Sequence, residues 1–153
     1  MRAVDPRAFR RPAEIKRFID CMMNEKLRGT GITASVGPFL MELDREHGVS
    51  NKELTERVGV TKGLTTRVVG QLKAMGLVVD DSEGKERSIR LTDEGVRARE
   101  FVARCIEECL EYLFSDFTDE EITQMTGMYA KIDAAMQRYE AGLSRHCRSR
   151  CMS

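Results

Sequence analysis

The sequence lacks the features that would place a protein in a membrane or outside the cell. It has no run of about 18 or more apolar residues, which excludes a membrane-spanning helix. Its first residues, MRAVDPRAFRRPAE, are charged and have no apolar segment of the kind found in signal peptides. Its five cysteines are an odd number, which argues against a framework of structural disulfides. We therefore expect a cytoplasmic protein with no membrane partner.

Signatures of catalysis are also missing from the sequence. It has no glycine-rich loop for phosphate, no metal-ligand spacing within the part expected to fold, and no nucleophile with a nearby histidine. His146, Cys147 and Cys151 offer three soft metal ligands near the C-terminus, but a fourth ligand is lacking. Disorder is therefore the favoured interpretation of residues 146–153. We expect neither an enzyme nor a bound cofactor or metal.

Residues 49–77, VSNKELTERVGVTKGLTTRVVGQLKAMGL, predict two short helices joined by a tight turn. Ser50 and Glu53 have the spacing of a capping box at the start of the first helix. Gly59 can end that helix in the left-handed conformation, and Thr61 can cap the next helix. The segment therefore predicts a helix-turn-helix.

The second of these helices has one apolar face and one polar, basic face. The helical period directs four residues toward a core: Leu64, Val68, Leu72 and Met75. The opposite side carries Lys62, Thr66, Gly70 and Lys73, with Arg67 on its flank. An apolar stripe behind small, hydroxylated and cationic residues is what a helix requires to enter the major groove of DNA.

The charges of the chain are segregated, although 25 basic and 25 acidic residues give a formal charge of zero. Zero net charge argues against indiscriminate binding of nucleic acid. Residues 50–76 nevertheless carry five cations against two acids, whereas 80–86 and 116–121 are acidic. Such segregation is expected of a protein with one surface that faces nucleic acid.

Apolar periodicity predicts further helices on both sides of this motif. Two helices precede it, from Ala13 to about Leu27 and from about Ser35 to Arg45. A long helix begins at Thr92 and runs to about Phe114, and a second capping box at Thr118 opens another helix. The last helix has coiled-coil-like spacing at Ile122, Met125, Tyr129, Ile132, Met136 and Tyr139.

Between the helix-turn-helix and the long helices, residues 77–91 alternate in polarity and predict a β-hairpin wing with a polar tip. We expect a mainly α fold in which a winged helix-turn-helix, residues 33–95, is flanked by dimerisation helices within 1–32 and 96–145. The winged unit is too small to cover the apolar faces of those helices, so we expect a homodimer. Its two recognition helices would meet half-sites about one DNA turn apart.

This order of elements resembles that of the MarR family of bacterial winged-helix regulators. The best local match is ELTERVGVTKGLTTRVVGQLKAMGLV followed by RLTDEG, within a resemblance that covers nearly the whole chain. The resemblance implies a homodimeric transcriptional regulator, a repressor that binds a pseudo-palindromic operator in double-stranded DNA. It also implies release from the operator by a small-molecule effector.

By position, the resemblance implies that Thr61 contacts a phosphate or caps the recognition helix and that Lys62, Thr65, Thr66 and Arg67 face DNA. Ser50 and Lys73 complete the predicted set of DNA-binding residues. The wing tip, DDSEGKERS, is shorter and more acidic than the family pattern, and leaves Lys85 and Arg87 as candidates for DNA contact. Gly70 stands where a larger polar residue is common, at a cost to the helix of about 1 kcal/mol relative to alanine.

The remaining hypotheses concern regulation. Family members commonly bind aromatic or phenolic effectors between the dimer helices and the DNA-binding lobe, and the candidate pocket residues here are Phe18, Met22, Phe39 and Met41. A first alternative is a redox-responsive regulator that senses oxidation through Cys21, whereas Cys105 and Cys109 are interpreted as packed apolar side chains. A second alternative, favoured by the acidic wing tip, is a winged-helix dimer that acts mainly through protein partners.

Overall fold

Capping residues and apolar spacing produce six helices and one hairpin within residues 10–81 and 88–142, which are the residues that the computed structural model describes. The helices are α1 (Arg11–Lys26), α2 (Gly37–Met41), α3 (Asn51–Val58), α4 (Lys62–Ala74), α5 (Asp93–Leu113) and α6 (Asp119–Gly142). The strands are β1 (Val78–Asp81) and β2 (Ser88–Leu91). The predicted fold class, mainly α with a small hairpin wing, is confirmed.

The helix-turn-helix begins and ends at the predicted capping residues. Ser50 Oγ accepts a hydrogen bond from the Glu53 amide (3.1 Å), and the Glu53 carboxylate accepts one from the Ser50 amide (2.9 Å). The hydrogen bond from the Ser50 amide to the carboxylate is the main reason that the pKa of Glu53 lies below its usual range. Gly59 ends α3 at φ 71°, and Thr61 Oγ1 accepts from the Leu64 amide (3.3 Å) at the start of α4.

Helix α2 is shorter than the predicted span of Ser35 to Arg45. After Met41 the chain leaves the helix, and Asp44 Oδ1 accepts hydrogen bonds from the backbone amides of Glu46 (2.8 Å) and His47 (2.5 Å). A short acidic side chain that bonds nearby amides in this way competes with helix propagation. The apolar residue Leu43 is still buried, although it lies outside the helix.

The hairpin is antiparallel and packs its inner face on the core. Val78 pairs with Leu91 and Asp80 pairs with Ile89 in the register. Val49, just before α3, exchanges two backbone hydrogen bonds with Ile89 (3.1 and 2.9 Å), which fastens the wing to the helix-turn-helix. The largest fully buried side chains include Phe39, Leu27, Leu40, Leu43, Leu54, Leu72, Ile89, Val36 and Val102. None of the helices within the described residues is both long and apolar enough to span a membrane.

One close approach joins the start of α5 to the hairpin. Gly95 is buried in the first turn of α5, and a Cβ atom at this position would lie 1.9 Å from the Leu77 carbonyl oxygen. The Thr92 amide donates to the same carbonyl (3.0 Å), so neither backbone segment can move away freely. The long helix is therefore fixed to the wing by backbone contact that only glycine permits.

We predict that Gly95→Ala lowers the free energy of unfolding by about 1–3 kcal/mol, because the added methyl group overpacks a backbone contact. The matched control is Gly70→Ala, since a Cβ at Gly70 meets nothing within 4 Å and alanine favours a helix by about 1 kcal/mol. Urea denaturation followed by circular dichroism measures both. Equal stability of the two variants would contradict the close approach.

Candidate nucleic-acid interface

Helix α4 exposes one polar surface, here named the basic face and formed by Lys62, Thr66, Arg67, Gly70 and Lys73. All five residues are exposed, while Val68, Val69 and Leu72 on the other side are buried. The orientation of the helix thus agrees with its amphipathic pattern. Contact of these side chains with DNA remains a prediction.

The basic face combines free and restrained groups. Among the described residues, neither Lys62 nor Arg67 forms an ion pair. Thr66 Oγ1 donates to the Lys62 carbonyl (3.0 Å) and lies 3.4 Å from Nδ2 of Asn51. Because those two cations are not paired with an acid in the described part of the chain, they are available to phosphate oxygens or base edges.

The position of Thr65 differs from the prediction that this residue faces DNA. Its side chain is completely buried, so it does not face DNA. Thr65 precedes Val68, Val69 and Leu72 by three, four and seven residues, which is the spacing of the core side of a helix. This spacing was the signal in the sequence that identifies Thr65 as an interior residue.

Lys73 is held by the wing. Its Nζ lies 3.9 Å from Oδ2 of Asp80 on β1, and the Asp80 side chain is only 15% exposed. Oδ1 of Asp80 is buried and has no hydrogen-bond partner within the described part of the chain. The Lys73 charge is therefore partly neutralised before any DNA phosphate approaches. Sequence reasoning missed Asp80 because the carboxylate and the amine come from different elements.

Other predicted site residues have structural contacts or lie beyond the described residues. Ser50 and Thr61 are the N-caps of α3 and α4. The wing-tip candidates Lys85 and Arg87 lie within 82–87, outside the described residues, as do the C-terminal candidates His146, Cys147 and Cys151.

The predicted effector residues do not line the apolar groove that the structure contains. This groove has a volume of about 410 Å³ and lies between α1, α5 and α6, with Ile15, Ile19, Met23, Ile106, Leu110 and Tyr129 among its lining residues. Phe18, Met22, Phe39 and Met41 are not among them. Phe39 is buried in the core, and Phe18 and Met41 are exposed. A role of these four residues in effector binding remains a prediction, since a helical period identifies an apolar face but not the neighbour that faces it.

The described cysteines differ in exposure. Cys21 on α1 is exposed, whereas Cys105 and Cys109 are buried on α5. Burial raises the pKa of both the Cys105 and the Cys109 thiols, which keeps them protonated and poorly nucleophilic at neutral pH. Their packing role agrees with the sequence interpretation.

Two capped helices at a tight turn, an exposed basic face and a hairpin fastened beside them define a winged helix-turn-helix protein. Comparison with known proteins identifies the family within this class. A sequence model of the MarR family matches residues 30–88. A helix-turn-helix-type transcriptional regulator of Bacillus cereus is 30% identical over 107 residues, which cover 68% of this chain and 71% of that protein.

Solved structures share the fold over most of the chain. A MarR transcriptional regulator from Methanosarcina mazei superposes with a TM-score of 0.81 at 23% identity, covering 90% of this chain and 94% of the other. A MarR protein from Peptoclostridium difficile gives a TM-score of 0.79 at 20% identity, covering 91% and 93%. The chain belongs to the MarR family of transcriptional regulators, which are not enzymes.

We predict that Asp80→Asn raises affinity for a DNA duplex of random sequence several-fold, because Lys73 becomes free to pair with a phosphate. The slope of log affinity against log salt concentration should become more negative by about one, the change expected for one additional phosphate contact. Fluorescence anisotropy over a salt series measures both quantities.

The matched control is Asp81→Asn, which removes the same charge from a neighbouring residue that lies 3.9 Å from Arg90 instead. An equal gain in both variants would indicate general electrostatics, and a loss of affinity in Asp80→Asn would contradict the restraint on Lys73.

Proposed function

We propose that the protein is a homodimeric transcriptional repressor that binds a pseudo-palindromic operator and is released by a small apolar or aromatic effector. The basic face of α4 is the observation that carries this proposal, because its cations stand beside small and hydroxylated side chains on a helix backed by the core. In a major groove, the Arg67 guanidinium can bind a guanine edge with two hydrogen bonds. Lys62 can pair with a phosphate.

The long helices support a dimer. Helix α6 contains no buried residue, and five of its large apolar side chains are exposed: Met128, Tyr129, Ile132, Met136 and Tyr139. Ile15 and Phe18 on α1 are also about half exposed. Soluble monomers seldom leave so many large apolar side chains exposed on one helix. A second copy that covers α1 and α6 through a two-fold axis would also present two α4 helices to two half-sites.

The apolar groove offers a route for the effector. Tyr129 comes from α6 and Ile15 and Ile19 come from α1, whereas Ala34 and Pro38 belong to the segment that leads into the DNA-binding lobe. Its volume of about 410 Å³ lies within the range of small-molecule sites. A ligand that binds one arrangement of these helices more tightly than another would change the spacing of the two α4 helices.

The test is binding to the DNA that flanks the protein's own gene. A DNA-binding dimer should lose affinity steeply as salt rises, because binding releases cations from the duplex. Affinity that does not depend on salt would favour the alternative in which the dimer acts through protein partners. If peroxide lowers the DNA affinity of the wild-type protein but not that of Cys21→Ser, the redox alternative is supported. Loss with a phenolic ligand would support effector release.

We predict that Arg67→Ala weakens binding to this operator by about 1–3 kcal/mol, the size of a lost bidentate base contact. Gel-shift titrations at fixed salt provide the measurement. Arg104→Ala is the control, since it removes an exposed arginine from α5. Operator affinity that is unchanged in Arg67→Ala would refute the role of Arg67.

A further inference from the structure

We infer that the half-buried Thr55 and the buried Thr65 form a hydroxyl pair that positions α4 for reading DNA, so that operator discrimination depends on a residue that never touches the duplex. The inference rests on the proposed operator binding by α4. Thr65 is the one polar side chain in the core of the described residues, with 0% exposure. It therefore acts through the elements that surround it.

The hydroxyl pair joins the two helices of the motif directly. Thr55 Oγ1 on α3 donates to Thr65 Oγ1 on α4 (2.9 Å), and Thr65 Oγ1 donates to the Thr61 carbonyl in the first turn of α4 (3.2 Å). The Asn51 carbonyl lies 2.7 Å from Thr55 Oγ1 and is a second acceptor for the Thr55 proton. Every hydroxyl in the pair thus has a partner inside the protein.

Both threonines occupy positions where apolar residues are expected. In α3, Asn51, Leu54, Thr55 and Val58 share one face at spacings of three, four and seven, as Thr65, Val68, Val69 and Leu72 do in α4. Valine in both positions would fill nearly the same volume without the cost of burying hydroxyls. The hydrogen bond constrains the orientation of the two helices, because its strength falls steeply when donor and acceptor leave their preferred geometry. Apolar contacts change less when one helix rotates or shifts against the other.

The orientation of α4 matters because Thr66 and Arg67, the two residues after Thr65, lie on the basic face. A rotation of α4 about its axis would move these two side chains across the base edges that they are proposed to read. The side-chain amide of Asn51, 3.4 Å from Thr66 Oγ1, extends the same α3–α4 connection to the edge of the basic face. The hydroxyl pair therefore fixes the rotation of α4 relative to α3.

The experiment measures affinity for the operator and for random DNA in Thr65→Val, well below its unfolding temperature. We expect operator affinity to fall about tenfold or more, while affinity for random DNA, which depends on phosphate contacts, stays close to that of the wild type. Thr65→Ser keeps the hydroxyl and should retain most of the discrimination. Thr123→Val is the matched control, because Thr123 Oγ1 makes the same type of bond to a carbonyl four residues earlier (2.8 Å) on exposed α6.

A second variant separates positioning from stability. Thr55→Val breaks the same bond between α3 and α4 but leaves Thr65 Oγ1 its bond to the Thr61 carbonyl, so no buried hydroxyl loses its partner and most of the wild-type stability should remain. If the hydroxyl pair sets the rotation of α4, this variant should discriminate the operator from random DNA as poorly as Thr65→Val does. Discrimination that follows stability through the three variants, or wild-type discrimination in folded Thr65→Val, would overturn the inference.

Amide hydrogen exchange supplies a readout that needs no DNA. In Thr65→Val, exchange should accelerate in the first turns of α4 and in the facing part of α3, and remain unchanged in α6. Unchanged exchange in α3 and α4 would overturn the inference even if the protein bound no operator. Failure of the wild-type protein to discriminate any operator, with accelerated exchange in the variant, would instead count against the proposed function.

Discussion

The apolar face of α6 is the constraint on which the proposed assembly depends. A helix of 24 residues without one buried side chain gains little from its own chain beyond backbone hydrogen bonds and its N-terminal capping box. A second copy of the chain carries the same exposed apolar side chains on its own α6. Association of the two copies through these helices is therefore the simplest way to cover them. In the proposed dimer, the separation of the two α4 helices would be set by how the long helices cross. DNA recognition and effector response would then both depend on the contact between the two chains.

Helix α5 connects that assembly to the DNA-binding lobe. Its buried residues Val102, Cys105 and Cys109 pack in the core, and the Lys26–Glu108 ion pair ties its middle to α1. Nearer its start, Arg99 donates to the Leu43 carbonyl (2.9 Å), and Gly95 lies against the backbone of Leu77. In the proposed mechanism, a movement of α1 would be transmitted to the wing through α5. The apolar groove is lined in part by Ile106 and Leu110 of α5, so a ligand bound there would contact this helix.

Much of the fold could be predicted from local chemistry. The capping residues Ser50, Thr61 and Thr92 specified helix starts because their hydroxyls bond amides only a few residues away. Contacts between distant segments were harder to predict. The side chain of Asp44 shortened α2, Asp80 restrained Lys73, and Thr65 turned inward to Thr55. The helical period placed Thr65 on the core side of α4, but threonine also suits a groove-facing surface, and its partner Thr55 lies on another helix. The lining of the apolar groove was hard to predict for a related reason, since it combines residues of α1, α5 and α6.

The most direct test of this account is the association state of the intact chain. Sedimentation equilibrium over a range of concentrations should show a dimer, and the thermal midpoint should rise with protein concentration, as linkage requires when only the folded chain associates. Ile132→Glu, placed in the apolar face of α6, should dissociate the dimer and reduce helix content, while Ala134→Glu introduces the same charge on the opposite side of the helix and should leave it intact. A monomer with full helix content at every concentration, or an unaffected dimer in Ile132→Glu, would contradict the account.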